Sequence, residues 1–511
     1  MKNSLDRTLL KNIWYLVLFL FGFMAMGNLS AQKVLSGPYL VEPGNTEVVI
    51  RWEMDAKGDY KTEFGSSKSK THETKLKLRE QKNGGFLYEA HLQNLNPGKT
   101  YFYRLIDPVT PSWNTFNTFS EKQNKFTFVA MGDSRSNPEI FKKIMEETIT
   151  ENPAFIISMG DLVEQGGDYK QWHDFFFAVV KDVTCSVPLV STLGDHEANG
   201  DNGELFRYFL RKDEPVDKQW FSFDYGNAHI ISLDYRHPED KEMIDWFIKD
   251  ITSSEKEWNI VMIHRGAYNM GGHRSEWGRG IWPELFSKYN VDLVFAGHSH
   301  IYERFLPVKE KGADNAVTYI TTGGAGAGLY QAVPNRSVMA VTESVNHFVV
   351  VNIDKNKLEA KAVRMDGSLL DKFTIVKSHK GYNKEYEELM ISQDKLNTIT
   401  GFNSAISQNL SVIPVGYRSV KYEAELKSYL DEKVSFTIKL YPESAGSYIM
   451  EPVSDTLQSK EGKVLKFDIY RKKDVTISKW GNVSPALQLM MIFKEGARTD
   501  TLIGKPAEYW P

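Results

Sequence analysis

Residues 126–144 read FTFVAMGDSRSNPEIFKKI, and three signals follow one another along them. Phe126 to Ala130 is a short apolar run of the kind that forms a strand buried on both faces. The run ends in Met131-Gly132-Asp133. Asn137 and Pro138 then supply an N-cap and a first-turn proline for a helix expected to turn Ile140, Ile144, Met145 and Ile149 inward. Further apolar runs follow at Phe155 to Met159, Val187 to Leu193, Ile230 to Leu233, Ile260 to Ile263 and Val291 to Ala296, with a helical stripe of Met243, Ile244, Phe247 and Ile248 among them. Buried strands interleaved with helices predict an α/β layered domain over 122–377.

On either side the rhythm changes to alternation. Between 32 and 121, Thr46, Val48, Ile50 and Trp52 share one face, and turns recur at Pro43-Gly44-Asn45 and Asn96-Pro97-Gly98, which predicts a small β-sandwich acting as a spacer. Over 378–511 the alternation returns in Val434, Phe436, Ile438 and Leu440, predicting a β-rich module of unknown role, with a helical stretch possible at Glu385 to Lys395. At the N-terminus, Lys2, Arg7 and Lys11 precede an apolar run from Ile13 to Met26 and then Asn28-Leu29-Ser30-Ala31. This is the pattern of a secretory signal peptide over 1–31, so the mature chain is expected to be secreted or periplasmic, with no transmembrane helix.

A length of 511 residues is too long for one core, in keeping with this division. Lys+Arg 62 against Asp+Glu 66 gives no dedicated nucleic-acid surface. One cysteine, Cys185, excludes a disulfide framework within the chain and any site built on several thiolates.

The chemistry lies at the ends of the apolar runs. Asp133, Asp161, Asp195 and His264 each follow one, and Gly297-His298-Ser299-His300 closes another. In layered α/β sheets the ligand crevice lies at the carboxyl ends of the strands, so one pocket would collect all six side chains. Any one of them alone is an ordinary cap, turn or core residue. Five such strand ends in order are not. Mixed carboxylate and imidazole donors suit zinc, manganese or iron rather than calcium, and two adjacent ions of this kind support in-line displacement at phosphorus.

These motifs resemble the calcineurin-like metallophosphoesterases, and among them the purple acid phosphatases with their N-terminal fibronectin type III-like domain. The resemblance rests on Gly132-Asp133, Gly160-Asp161-Leu162, Gly194-Asp195-His196-Glu197, Val261-Met262-Ile263-His264 and Gly297-His298-Ser299-His300-Ile301-Tyr302-Glu303-Arg304. It implies a βαβαβ layered sandwich core and a secreted hydrolase acting on a small phosphomonoester or phosphodiester, with two divalent or trivalent metal ions (Fe, Zn or Mn). Carried over by residue, it implies that Asp161 bridges the ions, that Asp133 and His300 hold the first, and that Asp195, His264 and His298 hold the second. His196 is the implied outer-sphere acid, and His273 the substrate-contacting histidine.

Three positions depart from the family pattern. Arg135 stands where many members have a ligating histidine, Glu164 where purple acid phosphatases have a tyrosine, and Asp195 where an asparagine is usual. Without that tyrosine the protein is expected to lack the family's colour. The first metal has lost both supplementary ligands, so its site is expected to be weakened and completed by Glu164 or water. Arg135 either offsets the extra charge of Asp195 or contacts the substrate phosphate. The alternative readings are a binding protein on a catalytically drifted core, or a nucleotidase or nuclease with Trp172, Phe175, Phe176 and Tyr268 stacking a base.

Overall fold

The computed structural model describes residues 33–106, 112–120, 122–211, 215, 217–379, 381–408, 418–442, 444–473, 487–492 and 499–504. The expected signal segment lies outside them. Among the described residues no helix is long and apolar enough to cross a membrane.

The α/β core is two seven-stranded sheets packed face to face. In the first, Lys125–Met131, Phe155–Ser158 and Leu189–Ser191 run parallel, and His347–Asp354 joins antiparallel beside Lys125–Met131. In the second, Ala228–Ser232, Trp258–Ile263, Leu293–Ala296 and Thr318–Thr322 run parallel. The two-residue period of a strand explains why their sequences read as unbroken apolar runs. Along Lys125–Met131, Phe126, Phe128 and Ala130 enter the layer between the sheets, while Val129 and Met131 face the helices outside. Trp258, Ile260 and Met262 do the same from the other sheet, with Val261 and Ile263 on its outer face.

The first helix, Pro138–Thr150, is capped by the Asn137 side chain on the Ile140 N–H and has proline in its first turn. Its buried face is Phe141, Ile144, Met145 and Thr148, whereas Ile149 is exposed. The stripe predicted through Ile149 is therefore rotated by about one position, because Phe141 fills the space against the sheet. In Lys241–Ser253, likewise, Met243, Phe247 and Ile251 are buried while Ile244 and Ile248 are only partly so.

Two four-stranded sheets make the N-terminal sandwich, its core built on Ile50, Trp52, Met54, Tyr88, Tyr103 and Phe116. The other face of Val48–Met54 carries Arg51 and Glu53, both fully buried against the α/β core. Arg51 donates to the Phe209 and Arg211 carbonyls at 2.8 Å each and pairs with Glu89. Glu53 accepts from the Tyr169 and Tyr208 hydroxyls at 2.7 and 2.8 Å. The sandwich is thus bonded to the core through polar groups that alternation alone would assign to solvent.

After the core comes a 16-residue helix, Gln393–Gln408, and then two sheets of a C-terminal β-rich module. The helix buries Leu396, Ile399, Phe402 and Ile406 in one cluster that runs from Val261 and Met270 of the core to Phe436 and Leu465 of the module. Helix therefore occupies part of the region expected to be β-rich; the segment Glu385 to Lys395 contributes most of the short helix Lys384–Glu387 and the first residues of Gln393–Gln408.

Candidate metal centre

The five strand ends meet at one cleft, and the backbone there is bent sharply to aim the side chains. Asp133, Asp161 and His298 have φ of 59, 57 and 66°, the left-handed region that residues other than glycine rarely enter. Two turns touch back to back: a Cβ on Gly160 (φ 85°) would fall 2.7 Å from the Gly194 Cα. Only glycine allows the Asp161 and Asp195 turns to come this close.

Glu197 ties those turns together. Fully buried, it accepts the N–H groups of Asp161 at 2.7 Å and Gly194 at 2.8 Å on one oxygen, and of Leu162 at 2.6 Å and Val163 on the other. Burial and the neighbouring Asp161 push its carboxyl up to about 7 despite these donors. Replacing Glu197 by glutamine sets an amide NH2 against two backbone donors. That change is expected to cost about 1–3 kcal/mol of stability and to weaken metal affinity roughly 10–100-fold, checked by thermal melting with and without added zinc.

Two groups of metal-ligating side chains lie side by side: Asp195, His264 and His298, and next to them Asp133, Asp161 and His264. This is the layout of a binuclear centre. His264 is fully buried, and its Nδ1 donates to the Met159 carbonyl at 2.7 Å, which leaves the lone pair on Nε2. Among the described residues that Nε2 has no hydrogen-bond partner, and it lies 3.4 Å from the carboxylates of both Asp161 and Asp195. A lone pair facing two carboxylates calls for a cation between them. Without one the proton is retained instead: burial opposes it, but Asp161, Asp195 and Asp133 prevail and push His264 up to about 10. Burial likewise opposes ionisation of Asp195, and His264 with His298 hold it well below the usual carboxylate range. The donor set fits a transition metal of the zinc, manganese or iron type.

The remaining residues singled out in the sequence fall as follows. His298 Nδ1 is 2.8 Å from Asp195, and its backbone N–H donates to both oxygens of Asp133. His300 donates from Nδ1 to the Gly328 carbonyl at 2.6 Å and turns Nε2 toward Asp133 at 3.5 Å. The backbone N–H of His196 holds Asp161 at 3.0 Å, and its Nδ1 donates to the Glu164 carbonyl at 2.7 Å. At the mouth, His273 stacks on His298 with centroids 4.2 Å apart.

Glu164 and Asp195 each pair with an arginine. Glu164 belongs to neither ligand group; it is half exposed and its carboxylate is taken up by Arg135 at 2.8 Å and by the Ser136 hydroxyl. Nor does Arg135 offset Asp195. Arg265 does, gripping it with Nε at 3.0 and 3.1 Å and a second nitrogen at 2.8 Å. Trp172, Phe176 and Tyr268 are core side chains, which removes them as base-stacking residues.

Arg265, Tyr330 and Tyr235 carry no motif signature. Tyr330 stacks on His300 at 4.4 Å, and the Tyr235 ring lies 5.5 Å from that of His264. Arg265 could have been suspected, because an extra carboxylate at 195 needs a partner and a cation stands next to a ligand.

Residues 126–302 match the family model for calcineurin-like phosphoesterases. The core has the metallophosphoesterase fold. Acid phosphatase type 7 of Mus musculus is 27% identical over 316 residues, 53% of this chain and 70% of that protein. Probable inactive purple acid phosphatase 24 of Arabidopsis thaliana is 26% identical over 48% of this chain, which spans only 49% of that relative's length. Among solved structures, purple acid phosphatase PPD1 from yellow lupin seeds superposes with a TM-score of 0.59 at 19% identity, covering 67% of this chain and 74% of that one. The metallophosphoesterase core therefore carries its ligand groups at the strand ends, flanked by β-rich modules at both termini.

Proposed function

We propose that this chain is a metal-dependent phosphoesterase that hydrolyses a small phosphomonoester or phosphodiester outside the cytoplasm; a relative similar to it is named as an acid phosphatase. The observation that carries the reading is His264 Nε2, buried, unbonded and aimed between two carboxylates. Asp161, Asp195, His264 and His298 would hold a zinc, manganese or iron ion there, whose chemistry would be to make a hydroxide nucleophile available near neutral pH and to act as a Lewis acid toward a phosphoryl oxygen. The chain's own groups do the rest. Asp161 belongs to one ligand group and faces His264, which the two groups share, and Arg135 turns N–H donors to the same cleft, where they can hold phosphate oxygens. His196, fixed through Nδ1, presents Nε2 3.9 Å from Asp161, and from there it can deliver a proton to the departing alkoxide as the P–O bond breaks. His273 lies where it can line the entrance. The apolar segment after Lys11 supports export, and the two facing antiparallel sheets support a fibronectin type III-like identity for the N-terminal module.

His196→Ala is expected to lower turnover by about 10²–10³-fold, more for alkyl phosphates than for p-nitrophenyl phosphate, since a poor leaving group depends most on the proton. Metal content should stay at the parent level; if it falls with activity, His196 is a ligand and this role is lost. The overall test is hydrolysis of chromogenic mono- and diesters by chelator-stripped protein given manganese, zinc or iron. A second reading, a metal-holding binding protein, is favoured by the guanidinium among the ligands, and it takes over if no metal restores turnover.

A further inference from the structure

The two ligand groups compete for one imidazole. They share His264, whose Nδ1 is committed to Met159, so only one ion can take its Nε2. The other position is left with Asp133, Asp161 and His300, and a side chain already stands among them. Arg135 places Nε 3.4 Å from the Asp161 carboxylate, one terminal nitrogen 3.5 Å from His300 Nε2 and the other 2.8 Å from Glu164. His300 donates from Nδ1 to Gly328, so the atom facing Arg135 is the lone-pair nitrogen that would otherwise bind metal. The guanidinium side chain is only 13% exposed and cannot lose its proton near neutral pH. At the other position the added charge of Asp195 is met separately by Arg265, which leaves its imidazole neighbours His264 and His298 for an ion.

We infer that the Arg135 guanidinium stands in place of the first cation, and that the chain holds a single metal ion, bound by Asp161, Asp195, His264 and His298. This rests on the metal-dependent reading above. It replaces a doubly or triply charged ion with one charge and a planar set of N–H donors, so the phosphoryl group is held on that side by hydrogen bonds.

The test is metal content of the full chain by elemental analysis, after chelation, reloading with excess zinc and removal of free ion. One zinc per chain is expected in the parent protein. His298→Ala is expected to lose it and His300→Ala to keep it, while Arg135→His, which substitutes a ligating side chain for the guanidinium, is expected to bind two. Two equally tight ions in the parent, loss in His300→Ala with retention in His298→Ala, or a count still at one in folded Arg135→His would each overturn the inference. No zinc, manganese or iron in the parent would instead bring down the metal-dependent reading itself. Circular dichroism establishes folding, and should Arg135→His not fold, the two histidine variants decide the matter with Arg135 in place.

Discussion

Asp161→Asn is expected to lose bound metal and hydrolysis together, with turnover down by roughly 10³-fold or more. Asparagine tolerates the left-handed backbone at this position, so the turn itself should survive. What fails is the donor set. One Asp161 oxygen lies 3.4 Å from His264 Nε2 and accepts the His196 N–H, and the other faces Arg135 and the His196 ring. An amide offers one good acceptor and an NH2, and wherever that NH2 points it meets either the metal-binding nitrogen or a guanidinium. Elemental analysis beside a p-nitrophenyl phosphate assay checks this. Metal retained at the parent level in an inactive variant would show that Asp161 does not ligate.

Arg51→Ala is expected to cost about 3 kcal/mol of stability, read as a shift in the urea midpoint. The loss is large for a residue far from the cleft because Arg51 is fully buried between two modules. Its removal takes two hydrogen bonds from the Phe209 and Arg211 carbonyls and the nearest cation from Glu89. Tyr39 and Arg79 still reach those carbonyls, and Arg79 still reaches Glu89, so the loss falls short of a bare buried charge. Limited proteolysis should then separate the sandwich from the core more readily than in the parent. An unshifted midpoint would mean that this interface adds nothing to global stability.

Much of the fold was legible because buried strands write themselves as apolar runs and their ends as Gly-Asp or Gly-His. The helix Gln393–Gln408 was not, although Leu396, Ile399, Phe402 and Ile406 recur at helical spacing. Its threonines, asparagines, serines and glycine are poor helix formers, and packing between two modules overrides that preference. The burial of Arg51 and Glu53 was not legible for the opposite reason: charged residues alternating with apolar ones look like a solvent face, and only a neighbouring domain buries them.

From its residues alone the chain announced a layered α/β core and the six side chains that converge on one cleft, because strand periodicity and strand-end chemistry are local properties of sequence. What the cleft does with its departures from pattern was decided by tertiary structure. Asp195 and Arg265 lie 70 positions apart in the chain, and Arg135, Glu164 and His300 come from three separate strand ends. Which cation meets which carboxylate is set by distances of a few ångströms across those ends, and Coulomb energy follows spatial separation and burial rather than position along the chain.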